Sequence, residues 1–256
     1  MRTPSRTSAV LALATALGAG AVGAGSALET GAHAITPGSR TGSVRSLPVL
    51  PLPRPSDFVE RVSNPYLPLT PGTRWVYVGR GAERGERNVV RVLHRTRVIE
   101  GVRATVVHDV VREDGELVED TYDWYAQDRL GNVWYLGERT RELEDGQVVS
   151  REGSWEAGAG DARAGIAMPA AAVPGTRYRQ EFDPGNAEDQ AQVALHGRQV
   201  RVPFGRVDRV RVTDETTPLE PRVDEMKFYA RGVGVVMELG ISPRFSRSVL
   251  VRMDKP

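Results

Sequence analysis

Pro71-Gly72-Thr73-Arg74-Trp75 returns further along the chain, with one aromatic residue exchanged, as Pro174-Gly175-Thr176-Arg177-Tyr178. Trp124-Tyr125-Ala126 and Gly131-Asn132-Val133-Trp134-Tyr135-Leu136-Gly137 are echoed by Phe228-Tyr229-Ala230 and Gly234-Val235-Val236-Met237-Glu238-Leu239-Gly240. Pro71 and Pro174, and Gly137 and Gly240, are each displaced by the same 103 residues. The spans 71–137 and 174–240 therefore read as two tandem copies of one supersecondary unit.

Between these motifs the residues are strand formers. Runs rich in Val, Tyr, Trp and Thr are cut by Glu100-Gly101, Asp114-Gly115 and Asp145-Gly146 in the first half, and by Asp183-Pro184-Gly185-Asn186 and Pro203-Phe204-Gly205 in the second. Dipeptides of the Asp-Gly type are strong hairpin signals. The pattern predicts an all-β chain: a strongly curved antiparallel meander or half-open barrel, because open sheets beyond about ten strands curl or split. One short N-terminal helix is predicted over Asp57 to Val62, capped by Ser56 and ended by Asn64-Pro65. The stretch Gly153 to Ala172, full of Gly and Ala, reads as a long loop and a candidate lid.

The first 34 residues stand apart. Arg2 and Arg6 precede an uncharged small-residue stretch from Ala9 to Gly25, followed by Ala32-His33-Ala34. This is the pattern of a secretory signal peptide, and the stretch is too poor in Leu for a membrane span. Residues 35–55 read as a flexible linker of Pro, Gly, Ser and Arg, and 56–256 as a single β-rich domain. The expected location is secreted or extracytoplasmic in the cell envelope, with no transmembrane segment after cleavage. Cysteine is absent, which excludes disulfides, thiol nucleophiles and lipid attachment through a cysteine. Removing residues 1–34 takes away Arg2, Arg6 and Glu29 and leaves 32 basic and 32 acidic residues. A nucleic-acid binder needs a concentrated basic face, so this balance argues against nucleic acid, and likewise against polyanionic surfaces. No cofactor is expected: Gly81 and Gly85 lack the Lys and the helix of a phosphate loop.

The pattern of Asn64-Pro65-Tyr66, Pro71-Gly72-Thr73, Asp123-Trp124-Tyr125-Ala126, Gly131-Asn132-Val133-Trp134-Tyr135 and Tyr229-Ala230-Arg231-Gly232-Val233-Gly234 resembles a group of exported bacterial proteins of unassigned function. The resemblance covers nearly the whole chain after the signal. More loosely, the curved meander is similar to the LolA/LolB-like lipoprotein carriers, whose half-barrels hold acyl chains. That likeness implies an architecture and carries over no functional residue.

The candidate ligand-binding residues are aromatic: Trp75, Trp124, Tyr125, Trp134 and Trp155, with Met168 from the candidate lid. Trp and Tyr on a curved sheet line apolar cavities or serve as plain core. Alternation sets Trp124 and Tyr125 on opposite faces, which calls for a ligand or a covering segment on one of them. A plain two-residue turn at Asp114-Gly115 pairs Thr105, Val107, Asp109 and Val111 with Trp124, Tyr122, Asp120 and Val118. Asp109 then opposes Asp120, a pair that shares a proton or recruits a cation unless a bulge separates it. His108 would face Thr121, and a bulge would bring His94 beside it for zinc. Glu181, Glu188 and Asp189 flank the Pro184-Gly185-Asn186 turn. They read either as a cation or sugar site or as charged edge strands. Three functions follow in order: a non-enzymatic carrier of a lipid-like or other small amphipathic ligand; a structural or interaction module for a cell-envelope protein; and a carboxylate-dependent extracytoplasmic hydrolase.

Overall fold

The computed structural model describes residues 47–256. The predicted signal peptide and the first part of the predicted linker lie outside the described residues. A 3-10 turn at Pro55–Asp57 leads into three short strands, β1 (Phe58–Val59), β2 (Ser63–Asn64) and β3 (Leu67–Pro68). Then come the long strands β4 (Arg74–Gly81), β5 (Glu86–Ile99), β6 (Val102–Glu113), β7 (Glu116–Asp128) and β8 (Val133–Arg139). Shorter pieces follow: β9 (Glu142–Glu144), β10 (Gln147–Ser150), β11 (Trp155–Glu156), β12 (Arg163–Met168), β13 (Arg177–Arg179) and β14 (Glu181–Phe182). The chain ends in β15 (Gln190–Val202), β16 (Gly205–Thr216), β17 (Asp224–Ala230), β18 (Gly234–Ser242) and β19 (Ser246–Asp254).

The local reasons are legible in the turns. Glu100 and Gly101, Asp114 and Gly115, and Asp145 and Gly146 all have positive φ. This is the two-residue geometry whose twist matches that of the strands it joins. Consecutive hairpins build one antiparallel sheet of 17 strands. The sheet curls nearly closed into a barrel, because β19 pairs with β4 along Ser246↔Gly81 to Asp254↔Arg74. The other side is seamed by short pairings. Gly165↔Tyr135 and Ile166↔Trp134 join β12 to β8, and Arg163↔Phe182 and Ala164↔Glu181 join β12 to β14. The prediction of a half-open sheet is thus corrected toward closure.

Two further expectations change. The helix predicted at Asp57–Val62 does not form, and among the described residues there is no α-helix. Phe58 and Val59 instead pair with Asp128 and Gln127 of β7, and the Phe58 ring packs edge-on against Trp134 at 6.4 Å. A sheet edge supplied partners that an isolated helical turn cannot match. The predicted lid, Gly153–Ala172, contributes two strands to the sheet, β11 and β12. Its small residues allow the close approach: a Cβ on Gly165 would lie 2.3 Å from the Gln180 carbonyl oxygen. The described end of the 35–55 segment lies against the barrel, with the Leu47 carbonyl accepting from Arg179 and Leu52 packed on the core.

The seam therefore depends on a missing side chain. Gly165→Ala is expected to lower stability by about 1–3 kcal/mol, the usual cost of overpacking. Urea denaturation followed by tryptophan fluorescence measures it, and an unchanged midpoint contradicts this account of the seam.

Candidate functional site

Residues opposite each other in a ladder share a face, so the register says what points inward. In β6 and β7, Thr105 faces Tyr125, Val107 faces Asp123, Asp109 faces Thr121 and Val111 faces Glu119. The predicted Asp109–Asp120 pair is therefore corrected. A bulge between Val111 and Arg112 adds one residue to β7 and turns Asp120 to the other face. Asp109 is fully buried, whereas Asp120 sits outside, held by His108 Nε2 at 2.8 Å and by Arg141. His108 faces Tyr122, not Thr121. His94 does not join it, but lies close to Gly72.

Following the ladders round the barrel assembles an interior that is polar at its centre. Asn88 Nδ2 donates to Asp109 Oδ2 at 3.4 Å, and Thr121 Oγ1 donates to Glu119 Oε1 at 2.8 Å. An irregularity in the β7–β8 ladder leaves both Tyr135 and Glu138 on the inner face, opposite Tyr125 and Asp123. The Tyr135 hydroxyl donates to Asp123 Oδ1 at 2.8 Å and sits 3.0 Å from Glu138 Oε2. Trp155 Nε1 donates to Glu181 Oε2 at 2.9 Å. From the opposite wall, Lys227 Nζ lies 2.9 Å from Glu215 Oε2 and 4.0 Å from Glu238 Oε2. Gln180 Nε2 reaches the same Glu215 oxygen at 3.2 Å. Asp109 Oδ1, Glu138 Oε1 and Glu181 Oε1 are buried with no hydrogen-bond partner within the protein.

These acids hold their protons unusually tightly. Burial, partly countered by Thr121, pushes Glu119 up to about 8. Burial raises Asp123 to about 7 against the opposing pull of Tyr135, Tyr125 and Lys227, and Glu181 to about 8 against that of Trp155 and Lys227. Burial, then Asp123 and Glu181, raises Glu138. Asp109 is raised by burial and by the charges of Asp123 and Glu119. Burial disfavours the Lys227 ammonium, yet Glu215 and Glu238 outweigh it and hold the group well above its ordinary value. At neutral pH the interior thus presents the Lys227 ammonium among acids held toward their protonated forms, able to donate as well as accept hydrogen bonds.

The predicted residues divide among several places. Tyr125, Trp155 and Glu181 meet in this interior, as does Asp109. Asp189 is buried beside Glu181, whose charge, after burial, raises its pKa. Glu188 instead accepts from the Gly185 backbone N–H at 2.9 Å and lies at the margin. Trp75, Trp134 and Met168 are buried. The indole N–H of Trp75 is satisfied by the Val233 carbonyl, and that of Trp134 by Asp128. Trp124 lies on the outer face under the Arg97 guanidinium, 4.4 Å from its ring, so a covering side chain accounts for its burial. A half-open cleft of about 250 Å³ between Thr70, Thr73, Gly232 and Met253 uses none of the predicted residues. Among the described residues no group of three or more His, Asp or Glu is arranged to hold a metal ion.

Sequence reasoning missed Glu138, Glu215, Lys227 and Glu238, and set Glu119 and Asp123 diagonal to His108 instead of in this interior. One signal was present: Lys227 and Lys255 are the two lysines among 34 basic residues.

No family model matches the chain, and no curated protein matches it by sequence. Two crystal structures are similar. One is a presumed exported protein with a YmcC-like fold from Bacteroides fragilis NCTC 9343, at 14% identity over 74% of this chain and 99% of that one, with a TM-score of 0.46. The other is a presumed lipoprotein from Parabacteroides distasonis ATCC 8503, at 12% identity over 74% and 98%, with a TM-score of 0.40. Likeness at this level transfers no activity, and a likeness to the LolA/LolB-like carriers is not shown.

Two outcomes follow from the interior. In the unfolded chain its acids ionise near pH 4, but in the folded protein they do so only near 7 to 8. The folded state binds more protons across that interval, so stability is greatest below it and declines as pH rises through it. The urea midpoint is expected to be higher at about pH 5 than at about pH 8; the reverse order contradicts the protonated interior. Lys227→Met strands Glu215 and Glu238 and should cost about 3–5 kcal/mol near neutrality. Parallel urea denaturation curves of the two proteins at neutral pH measure it, and an unchanged midpoint contradicts this account of Lys227.

Proposed function

We propose that the protein is an exported, non-enzymatic binding protein whose barrel interior takes a small amphipathic ligand by its polar end. Export rests on the N-terminal pattern of Arg2, Arg6, the small-residue stretch and Ala32-His33-Ala34. The observation that carries the ligand is the set of buried acid oxygens without partners, Asp109 Oδ1, Glu138 Oε1 and Glu181 Oε1. Buried polar atoms are nearly always hydrogen-bonded, and orphans call for water or a ligand. Largely protonated acids facing one another across a barrel favour a guest that both accepts and donates hydrogen bonds, such as a hydroxylated head group. The flanking inner residues Val90, Val92 and Val107 offer apolar contact to the remainder.

The hydrolase reading loses its strongest pair, because Asp109 and Asp120 point to opposite faces. The aromatic residues first assigned to an apolar ligand are largely engaged with the protein itself, which moves the emphasis from an acyl chain to a polar head.

Native mass spectrometry of the protein purified from its own host tests this reading. A reproducible extra mass, lost on denaturation and absent from Glu138→Gln/Glu181→Gln protein, is the expected result. A bare polypeptide mass in repeated preparations overturns it.

A further inference from the structure

The chain sorts its charges by face, which a net charge near zero conceals. Asp109, Glu119, Asp123, Glu138, Glu181, Glu215 and Glu238 are buried. Arg80, Arg87, Arg91, Arg95, Arg112, Arg139 and Arg247 are exposed. On the outer face the register puts like charges directly opposite one another. Arg74 faces Arg91, Arg87 faces Arg112 and Arg80 faces Arg247. Such pairs are ordinarily destabilising.

One row is continuous. Arg74 faces Arg91, Arg91 faces His108, His108 faces Tyr122, and Tyr122 faces Arg139. The His108 and Tyr122 rings stack at 4.3 Å. The guanidinium groups of Arg95 and Arg139 lie 4.9 Å and 5.1 Å from the centre of the Tyr122 ring. Held against an aromatic face, a guanidinium keeps its in-plane donors free for an anion. The acids bordering the row are already engaged, Asp120 by His108 and Arg141 and Asp254 by Arg74 and Arg252.

We propose that the Arg74–Arg91–His108–Tyr122–Arg139 row, flanked by Arg95 and the Arg87–Arg112 pair, binds a linear polyanion. The row crosses the strands and so follows the barrel's circumference. Its four steps of about 4.8 Å span roughly 19 Å. A flexible chain of phosphate or carboxylate groups can follow that curve, whereas a flat bilayer meets a convex barrel along a narrow line. Anions between facing arginines also relieve the repulsion that the register imposes. The even balance of charge in the sequence does not register this row, because it counts the buried acids together with the exposed bases.

The probe is fluorescently labelled inorganic polyphosphate, titrated into purified protein by anisotropy across a salt series. Arg91→Gln/Arg139→Gln should weaken binding about tenfold and reduce the slope of log affinity against log salt by about one per arginine removed. Arg177→Gln/Arg201→Gln, two exposed arginines away from the row, should change affinity less than about twofold. Thermal unfolding confirms that both variants fold, since every substituted side chain is exposed. Absence of polyphosphate binding, or equal loss from both pairs, overturns the proposal. Binding confined to phosphatidylglycerol vesicles also overturns it and makes the face a membrane contact.

Discussion

The interior is arranged around Lys227. It is completely buried, and an ammonium there is tolerated only with carboxylates in contact, because removing an ion from water costs several kcal/mol even after relaxation. Glu215 and Glu238 supply that contact from the strands on either side. The acids of β7 and β8 face Lys227 from the other wall and meet the cost of burial chiefly by keeping their protons. Electrostatics and architecture are inseparable here: the barrel must close to bring β7 and β8 across from β17, and closing it commits the acids to an environment in which ionisation is expensive.

Much of the fold was legible. Asp-Gly and Glu-Gly turns and β-rich runs between them located the long hairpins, because both signals are local. The helix at Asp57–Val62 failed for a nonlocal reason, as the edge of β7 was available to Phe58 and Val59. Gly153–Ala172 was read as a loop because Ala and Gly carry little strand propensity. Its small residues are what allow β12 to approach the Gln180 backbone. The interior site was far less legible. A single bulge at Val111–Arg112 exchanged Asp120 for Thr121 opposite Asp109, and period-two alternation makes any one-residue error a change of face. Lys227 left a compositional trace, a lysine inside a strand of a chain that otherwise relies on arginine.

The fate of Trp124 and Tyr125 illustrates how both sides of one strand become buried. Tyr125 stacks on Tyr135 inside, with centroids 4.8 Å apart, while Trp124 is roofed outside by Arg97, itself paired with Glu156. Alternation correctly placed them on opposite faces. What covers the outer one is a charged side chain lying flat, a use of the arginine stem and plane that hydrophobicity patterns do not register.

The pairing of β19 with β4 bears on the order in which the molecule can be made. The two strands flank nearly all of the barrel wall in sequence, so this ladder closes a very long loop and raises the contact order, which slows folding. A chain emerging progressively from its N-terminus has β4 in hand early but no partner for its outer edge until Ser246–Asp254 arrives. The hairpins between can form as they appear, yet Lys227 and its surrounding acids become sequestered from water only when the last strand docks. Closure of the barrel is therefore a late event set by the docking of β19.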